Sequence, residues 1–400
     1  MIVSSSFLIA IIAISFIVGH VQNDLINPAF SDMMRYFSTN PTKFHLMSSS
    51  CSFGSAIACL IFGPLSEFYG RKNVLLTGFF LLMLGLVGCI FASSIDLLIF
   101  WRFIEGAGMS ASVTICVVLV FDLFDRKKSS QLTGIYDGII TASKSLAPII
   151  GGYLNIYFGW KSGFIVLIFL TLIAFLLNYI YLTEPKKLRK NKKFSITILV
   201  RSYLNLIRSK IFMLYAIKLG LMACAMIVYL ASISLIFTDY LKVSKYYYGY
   251  YVSSTMALFS IFSFLTAIFI EYFGLKATKM IGLVLIVLGG CLFVFVAYNS
   301  ESALYISLSM AICSSGFALL IAIFMHDAMN VLPDLKGYAS ALIASIRLAL
   351  IAIFIALAGL FFNGSIKPIA IIVFFLVILV VMINLLIATS NKYANNKIHN

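Results

Sequence analysis

Charged residues are scarce in this chain: Asp, Glu, Lys and Arg make up 11% of its 400 residues, against roughly 25% in a soluble domain. A surface exposed to water on all sides is therefore excluded. The seven cysteines (Cys51, Cys59, Cys89, Cys116, Cys224, Cys291 and Cys313) all fall inside apolar segments and have no metal-ligand spacing, which argues against a disulfide framework or a zinc site. No H-E-x-x-H or G-x-S-x-G constellation occurs, so neither a metalloprotease-like nor a hydrolase-like enzyme is expected. The Gly-rich stretch around Pro148 lacks a lysine and hydroxyl in phosphate-loop spacing, so ATP binding is not supported. No cofactor is called for. The first apolar segment lacks a basic leader and a small-residue cleavage site, and it is expected to be a retained helix.

Apolar residues are abundant, at 62% of the chain. A spanning helix takes about 20 of them, so roughly 240 residues would build twelve spans, six per half. Hydrophobic runs place these near 6–29, 46–66, 73–94, 97–123, 131–154, 162–183, 211–237, 248–272, 278–298, 302–326, 338–362 and 368–389. The expected fold class is an all-α membrane protein with twelve transmembrane helices in two pseudo-symmetric six-helix bundles. Residues 1–183 would form the first bundle, 184–210 a basic linker and 211–400 the second bundle.

The chain also repeats itself. Glu67-Phe68-Tyr69-Gly70-Arg71-Lys72 returns as Glu271-Tyr272-Phe273-Gly274-Leu275-Lys276. The same offset pairs Gly78 with Gly282, Leu84 with Leu288 and Gly85 with Gly289. Duplicated halves are how many transporters place a substrate site at the repeat interface.

The net charge of +15 would suit nucleic acid if it were clustered on a soluble face, but it is distributed as a topology signal. Nineteen of the 29 Lys and Arg fall on one side of the twelve spans, six on the other and four within helices. That bias predicts cytoplasmic N- and C-termini. The linker carries Lys186, Lys187, Arg189, Lys190, Lys192 and Lys193, followed by an apolar-polar stretch from Phe194 to Ile207 that suits a helix lying on an anionic membrane surface. The run Tyr246-Tyr247-Tyr248 reads as an aromatic belt and His326 as an interfacial residue.

Seven ionisable residues lie within the spans: Asp24, Arg102, Glu105, Asp137, Lys144, Lys218 and Arg347. Each would cost roughly 2.5–3.5 kcal/mol at a lone helix centre, about 20 in sum, which exceeds the roughly 5–15 of a typical net fold stability. They must face a wet cavity or one another. Asp24 stands among His20, Gln22, Asn23 and Asn27, a patch that would be wasted on lipid, and a carboxylate there can take a proton or a cationic group in turn. Arg102 and Glu105 are three apart, which permits either coupling to Asp24 or a local salt bridge. Asp137 and Lys144 share one helix face, beside Gly134 and Gly138. An offset of 203 pairs Lys144 with Arg347, so the fifth and eleventh spans would present related cations to the cavity. Four cations against three anions favour anionic or zwitterionic substrates over lipophilic cations. Lys218, about one turn from its helix end, reads as a snorkelling group.

Gly63-Pro64-Leu65-Ser66-Glu67-Phe68-Tyr69-Gly70-Arg71-Lys72 resembles the signature loop of the major facilitator superfamily. Arg102-Phe103-Ile104-Glu105-Gly106-Ala107-Gly108 resembles the family's R-x-x-Q-G motif, and Ala147-Pro148-Ile149-Ile150-Gly151-Gly152 resembles the motif of its exporters. Asn23-Asp24 ahead of Pro28, Gly159-Trp160-Lys161 and Gly337-Tyr338-Ala339-Ser340-Ala341-Leu342 are similar to Bcr/CflA-type drug and proton antiporters. The sequence departs from the family pattern at Glu67, Glu105, Lys144 and Arg347. The resemblance implies a monomeric, proton-coupled exporter of small organic solutes or drugs in a bacterial inner membrane, working by alternating access. A proton-driven importer of a small metabolite or osmolyte is the rival reading. The charges and polar patch within the spans point to proton coupling through Asp24, Glu105 and Asp137 and a substrate cavity with His20, Asn23, Asn27, Lys144 and Arg347, and the resemblance makes Arg102 the cation that senses the protonation. Conformational gating would involve Gly63, Glu67, Gly70, Arg71, Lys72, Pro148, Gly151 and Gly152. Glu67 and Arg71, four apart, would clasp the ends of neighbouring helices in the outward-facing form.

Overall fold

The computed structural model describes residues 5–124, 126–184, 196–300, 302–332 and 335–396. The side chains of Glu67 and Asp137 and the basic run from Lys186 to Lys193 lie outside the described residues. In lipid no water satisfies backbone N–H and C=O groups, so an apolar chain must close its hydrogen bonds within helices. The described residues form α1 (Ser5–His20), α2 (Gln22–Ile26), α3 (Phe30–Tyr36), α4 (Pro41–Tyr69), α5 (Arg71–Phe91), α6 (Ile95–Leu123) and α7 (Arg126–Phe158). There follow α8 (Lys161–Tyr181), α9 (Ile196–Arg208), α10 (Lys210–Leu235), α11 (Lys245–Asn299), α12 (Ala303–Val331), α13 (Lys336–Phe361) and α14 (Lys367–Asn396). Starts are set by ordinary caps. The Asn40 side chain accepts from Lys43 N at 2.8 Å ahead of Pro41, and Ser94 Oγ accepts from Leu97 N at 3.2 Å.

Twelve long helical stretches emerge when α11 is divided at Gly274, whose φ of 77° and ψ of 163° interrupt it, and when α1 to α3 count as one. Nine of the described helices are apolar and long enough to cross a membrane, and ten with the bent first pair. The two outside that set are α7, which carries Asp137 and Lys144, and the first half of α11.

The first stretch differs from the single straight helix expected over 6–29. It bends by 57° between Ser6–His20 and Gln22–Tyr36, and a 3-10 turn, Asn27–Ala29, separates α2 from α3. Pro28 has no N–H to give. Around the break, side chains bond to carbonyls of the preceding turn: His20 Nδ1 to Phe16 O at 2.9 Å and Gln22 Nε2 to Val18 O at 2.7 Å. The polar patch is thus the sequence of a broken helix.

The repeat is visible in the backbone. Gly70 (φ 96°) and Gly274 (φ 77°) hold the left-handed conformation at matching places, which an L side chain adopts only with strain. Packing repeats as well: Gly78 faces Gly108 O and Gly85 the Glu105 backbone, while Gly282 faces Gly316 O and Gly289 the Cys313 backbone. Two apolar cores result, one built from residues between Ile12 and Leu182, the other from residues between Tyr203 and Ile387.

The amphipathic helix expected after the linker's basic run is α9. Its Tyr203 and Leu206 are buried, and Tyr203 Oη donates to Leu60 O at 3.4 Å while its ring stands 5.6 Å from that of Tyr338. Part of its apolar face therefore meets protein, both α4 and α13, while Val200, Leu204 and Ile207 stay exposed on the same helix. In the tyrosine run, Tyr247 is exposed but Tyr248 is buried, which corrects the reading of that run as wholly belt.

Candidate substrate cavity and its charged neighbours

Between the two cores lies a cavity of about 290 Å³, near the lower end of the roughly 300–1,000 Å³ of small-molecule sites. The first bundle contributes its polar wall: His20, Asn23, Asp24 and Asn27 from the broken helix, Thr141 and Lys144 from α7. Ser48, Ser52 and Ser55 add hydroxyls from α4. The second bundle contributes an apolar wall of Met222, Met226, Phe259, Phe317 and Ile351, interrupted by Arg347. Sequence reasoning found the charged and amide residues but missed the methionine and phenylalanine wall. Those residues are indistinguishable in sequence from lipid-facing ones.

His20 Nδ1 must be the donor to Phe16 O, since a carbonyl only accepts. That leaves Nε2 as the accepting ring nitrogen. Asp24 feels the charge of Lys144, and Lys144 that of Arg347. Among the described residues no carboxylate lies within ion-pair distance of either cation.

Arg102 and Glu105 stand behind this wall. Both are fully buried, with Arg102 Nη1 donating to Glu105 Oε1 at 2.6 Å. Cys89 Sγ donates to the other carboxylate oxygen at 3.6 Å. Arg102 Nη2 donates to Asn23 Oδ1, so the local salt bridge is joined to the cavity through one amide, next in sequence to Asp24. Arg102 Nε has no partner among the described residues.

Lys218 corrects the snorkelling expectation. Its side chain is completely buried in the second bundle, Nζ lying 3.3 Å from the Phe324 ring centroid and 3.2 Å from Asn384 Oδ1. Nearby, Lys279 Nζ pairs with Asp327 Oδ2 at 2.8 Å. His326 is exposed, as an interfacial residue should be.

The gating residues fall at two places. Arg71 donates from Nε to Asp122 Oδ2 at 3.1 Å and from Nη1 to Ser66 Oγ at 2.5 Å. Glu184 caps the start of α5, accepting from the Arg71 and Lys72 backbone N–H groups at 2.6 and 3.0 Å. Lys72 Nζ reaches Tyr179 O at 2.7 Å. These described bonds tie α4, α5, α6 and the end of α8 within the first bundle, and the bonded carboxylates, Asp122 and Glu184, were not singled out in the sequence. The repeat held one clue, because Asp122 and Asp327 are near-equivalent positions that each pair with a cation. A Cβ added at Gly63 would meet Ala341 of α13 at ordinary contact distance. At the second place, Leu25 O occupies the space where Gly151 would carry a Cβ, and Gly249 presses on Pro148 and Ile149; Gly152 is buried beside them.

At the membrane face opposite Gly70, bonds cross between bundles. Arg35 Nη2 donates to Asp239 Oδ1 at 2.9 Å, Ser31 Oγ and Thr238 Oγ1 share a hydrogen bond, and Thr42 Oγ1 donates to Gly359 O at 2.9 Å. Arg35 and Asp239 are themselves separated by the repeat offset of 204.

Two repeat-related bundles around a central mixed cavity are matched at the level of family. The Major Facilitator Superfamily profile matches residues 12–353. The chain belongs to that superfamily. As a superfamily member it is an integral membrane transporter and not an enzyme. The bicyclomycin resistance protein homolog of Haemophilus influenzae is 23% identical over 330 residues, covering 82% of this chain and 83% of that protein. The chloramphenicol resistance protein CraA of Acinetobacter baumannii is 25% identical over 248 residues, 61% of this chain and 58% of that protein. A Rickettsia felis protein described as an uncharacterized transporter is 25% identical over 377 residues, 90% and 91% of the two chains. Among solved structures, the xylose transporter XylE from E. coli superposes with a TM-score of 0.71 at 14% identity over 96% of this chain and 98% of that one. A bacterial homolog of the human lysosomal transporter Spinster gives 0.74 at 12% identity over 97% of each. At such identities the likeness speaks for the fold.

Proposed function

We propose that this superfamily member is a proton-coupled exporter of small organic solutes or drugs that works by alternating access. The observation that carries it is Asp24, set at a break in the first span, lining the central cavity within the field of Lys144 and adjacent to Asn23, the amide that receives Arg102. A carboxylate in that setting exchanges a proton for a cationic group, because both compete for one charge in a low-dielectric site. Arg102 senses the exchange through Asn23, with Glu105 holding the guanidinium in place. Export, rather than import, is supported by the exporter-like segment from Ala147 to Gly152 and by relatives named for resistance to bicyclomycin and chloramphenicol.

In the same reading the face that carries Gly70 and the basic linker is cytoplasmic, the protein sits in a bacterial inner membrane, and it functions as a monomer. The two bundles, 1–183 and 211–400, rock about the cavity. The bonds at Arg35, Ser31 and Thr42 then close the outer end. The deciding experiment is a solute screen in proteoliposomes with an imposed pH gradient of either sign, run on the wild type and Asp24→Asn. Solute movement against the proton gradient in the wild type, lost in Asp24→Asn, is expected. Proton-driven flux that persists in the variant sinks the assignment.

A further inference from the structure

The cavity brings together two cations from different bundles and one described carboxylate. Lys144 projects from α7 and Arg347 from α13, both line the space beside Asp24, and Lys144 interacts electrostatically with each of the other two. Neither cation has an ion-pair partner among the described residues. Two cations against one described carboxylate leave a charge to be matched in a membrane interior. The wall beside Arg347 is sulfur, aromatic and branched aliphatic, with Met222, Met226, Phe259 and Phe317. We propose that the occupant is an amphipathic zwitterion, its carboxylate held between Lys144 and Arg347, its ammonium on Asp24 and its apolar body on the methionine and phenylalanine wall.

This substrate class rests on the reading of the cavity as the transport site, and it is selected by pairing each lining charge with an opposite group, not by net charge, which a monoanion would cancel. A lipophilic cation would pair with Asp24 but would leave Lys144 and Arg347 unmatched, adding a third positive charge to the space. A simple organic anion would satisfy the two cations and be repelled by ionised Asp24. Protonation of Asp24 would then help it bind, so proton and anion would move together. Only the zwitterion answers all three groups and still competes with the proton for Asp24, which is what exchange requires. His20 Nε2, the accepting nitrogen, offers the ammonium a second partner. Because the carboxylate spans residues of both bundles, its binding also draws them together around the solute.

The test is equilibrium binding to the purified full-length transporter in lipid nanodiscs, with no pH gradient. Three matched probes are compared: L-tryptophan, its methyl ester, which keeps only the cation, and N-acetyl-L-tryptophan, which keeps only the anion. Tryptophan is expected to bind at least about tenfold more tightly than the ester, and acidification to weaken tryptophan but strengthen the N-acetyl acid. Arg347→Gln and Lys144→Gln are each expected to weaken tryptophan at least about tenfold. Arg347→Lys and Lys144→Arg, which keep the charge, should restore most of it and serve where a glutamine variant fails to elute as a single folded species. Tightest binding of the ester or, at neutral pH, of the N-acetyl acid, binding of none of the three, or unchanged tryptophan binding in Arg347→Gln overturns the proposal. Ester-only binding with Asp24-dependent, pH-driven flux intact would leave the exporter reading in place. Tryptophan binding without pH-driven flux would remove the exporter reading and keep the zwitterion site.

Discussion

Asp24 and the Arg102–Glu105 pair illustrate two ways a bilayer protein keeps charge. Asp24 borders a cavity, where its charge is available to a ligand. Arg102 and Glu105 neutralise each other at 2.6 Å with no exposed surface. Replacing Asp24 by Asn keeps shape and removes the ionisable group, so pH-driven transport is expected to vanish while the thermal unfolding temperature stays near that of the wild type. Breaking the buried pair acts differently. Arg102→Met should cost about 3–5 kcal/mol because Glu105 is left as an unpaired buried charge, whereas Arg102→Met combined with Glu105→Leu should recover much of that loss. Unfolding of the single and double variants in detergent measures the difference; equal destabilisation would show that the pair does more than cancel charge.

Among elements, the broken first span and α7 carry the local geometry. The backward-bonding His20 and Gln22 flank the bend of the first span, Pro28 interrupts the helix again at the 3-10 turn, and α7 meets this segment closely enough for Leu25 O to fill the space at Gly151. Gly151→Val is therefore expected to destabilise by about 1–3 kcal/mol or more through overpacking and to reduce transport, since it pushes α7 away from the residues flanking Asp24. Gly274→Ala makes a contrast. Nothing lies within 4 Å of its added Cβ, so only the backbone strain of an alanine at φ 77° and ψ 163° remains, roughly 1–3 kcal/mol. Thermal unfolding paired with flux separates the two: Gly151→Val should lower both, Gly274→Ala stability alone. A Gly274→Ala variant as inactive as Gly151→Val would contradict this assignment.

For the whole molecule, the proposed cycle has the cross-bundle bonds opposite Gly70 hold that end of the cavity closed. Arg35 and Asp239 occupy repeat-equivalent places yet carry opposite charges, so the internal symmetry itself positions them to meet across the pseudo-twofold axis. The pair is surface-exposed on the Arg35 side and is worth only about 0–1 kcal/mol, weak enough to break in each transport cycle. A covalent link at the same level should not break. Ser31→Cys with Thr238→Cys is expected to oxidise to a disulfide that stops transport, with activity returning on reduction; full activity of the cross-linked protein would show that this end need not open.

The apolar content, the twelve stretches, the duplicated Gly70 and Gly274 loops and the polar patch at His20 to Asn27 were legible in the sequence, because periodicity, helix breakers and charge in an apolar run are local properties. Cavity membership of Lys144 and Arg347 was reachable through the cost of charge within a span, with the repeat relating the two. The partners of Arg71, the full burial of Lys218 and the apolar wall from Met222 to Phe317 were decided by tertiary packing. In a chain whose lipid-facing and protein-facing residues are alike apolar, composition does not say which face turns inward. Only the assembly of both bundles does.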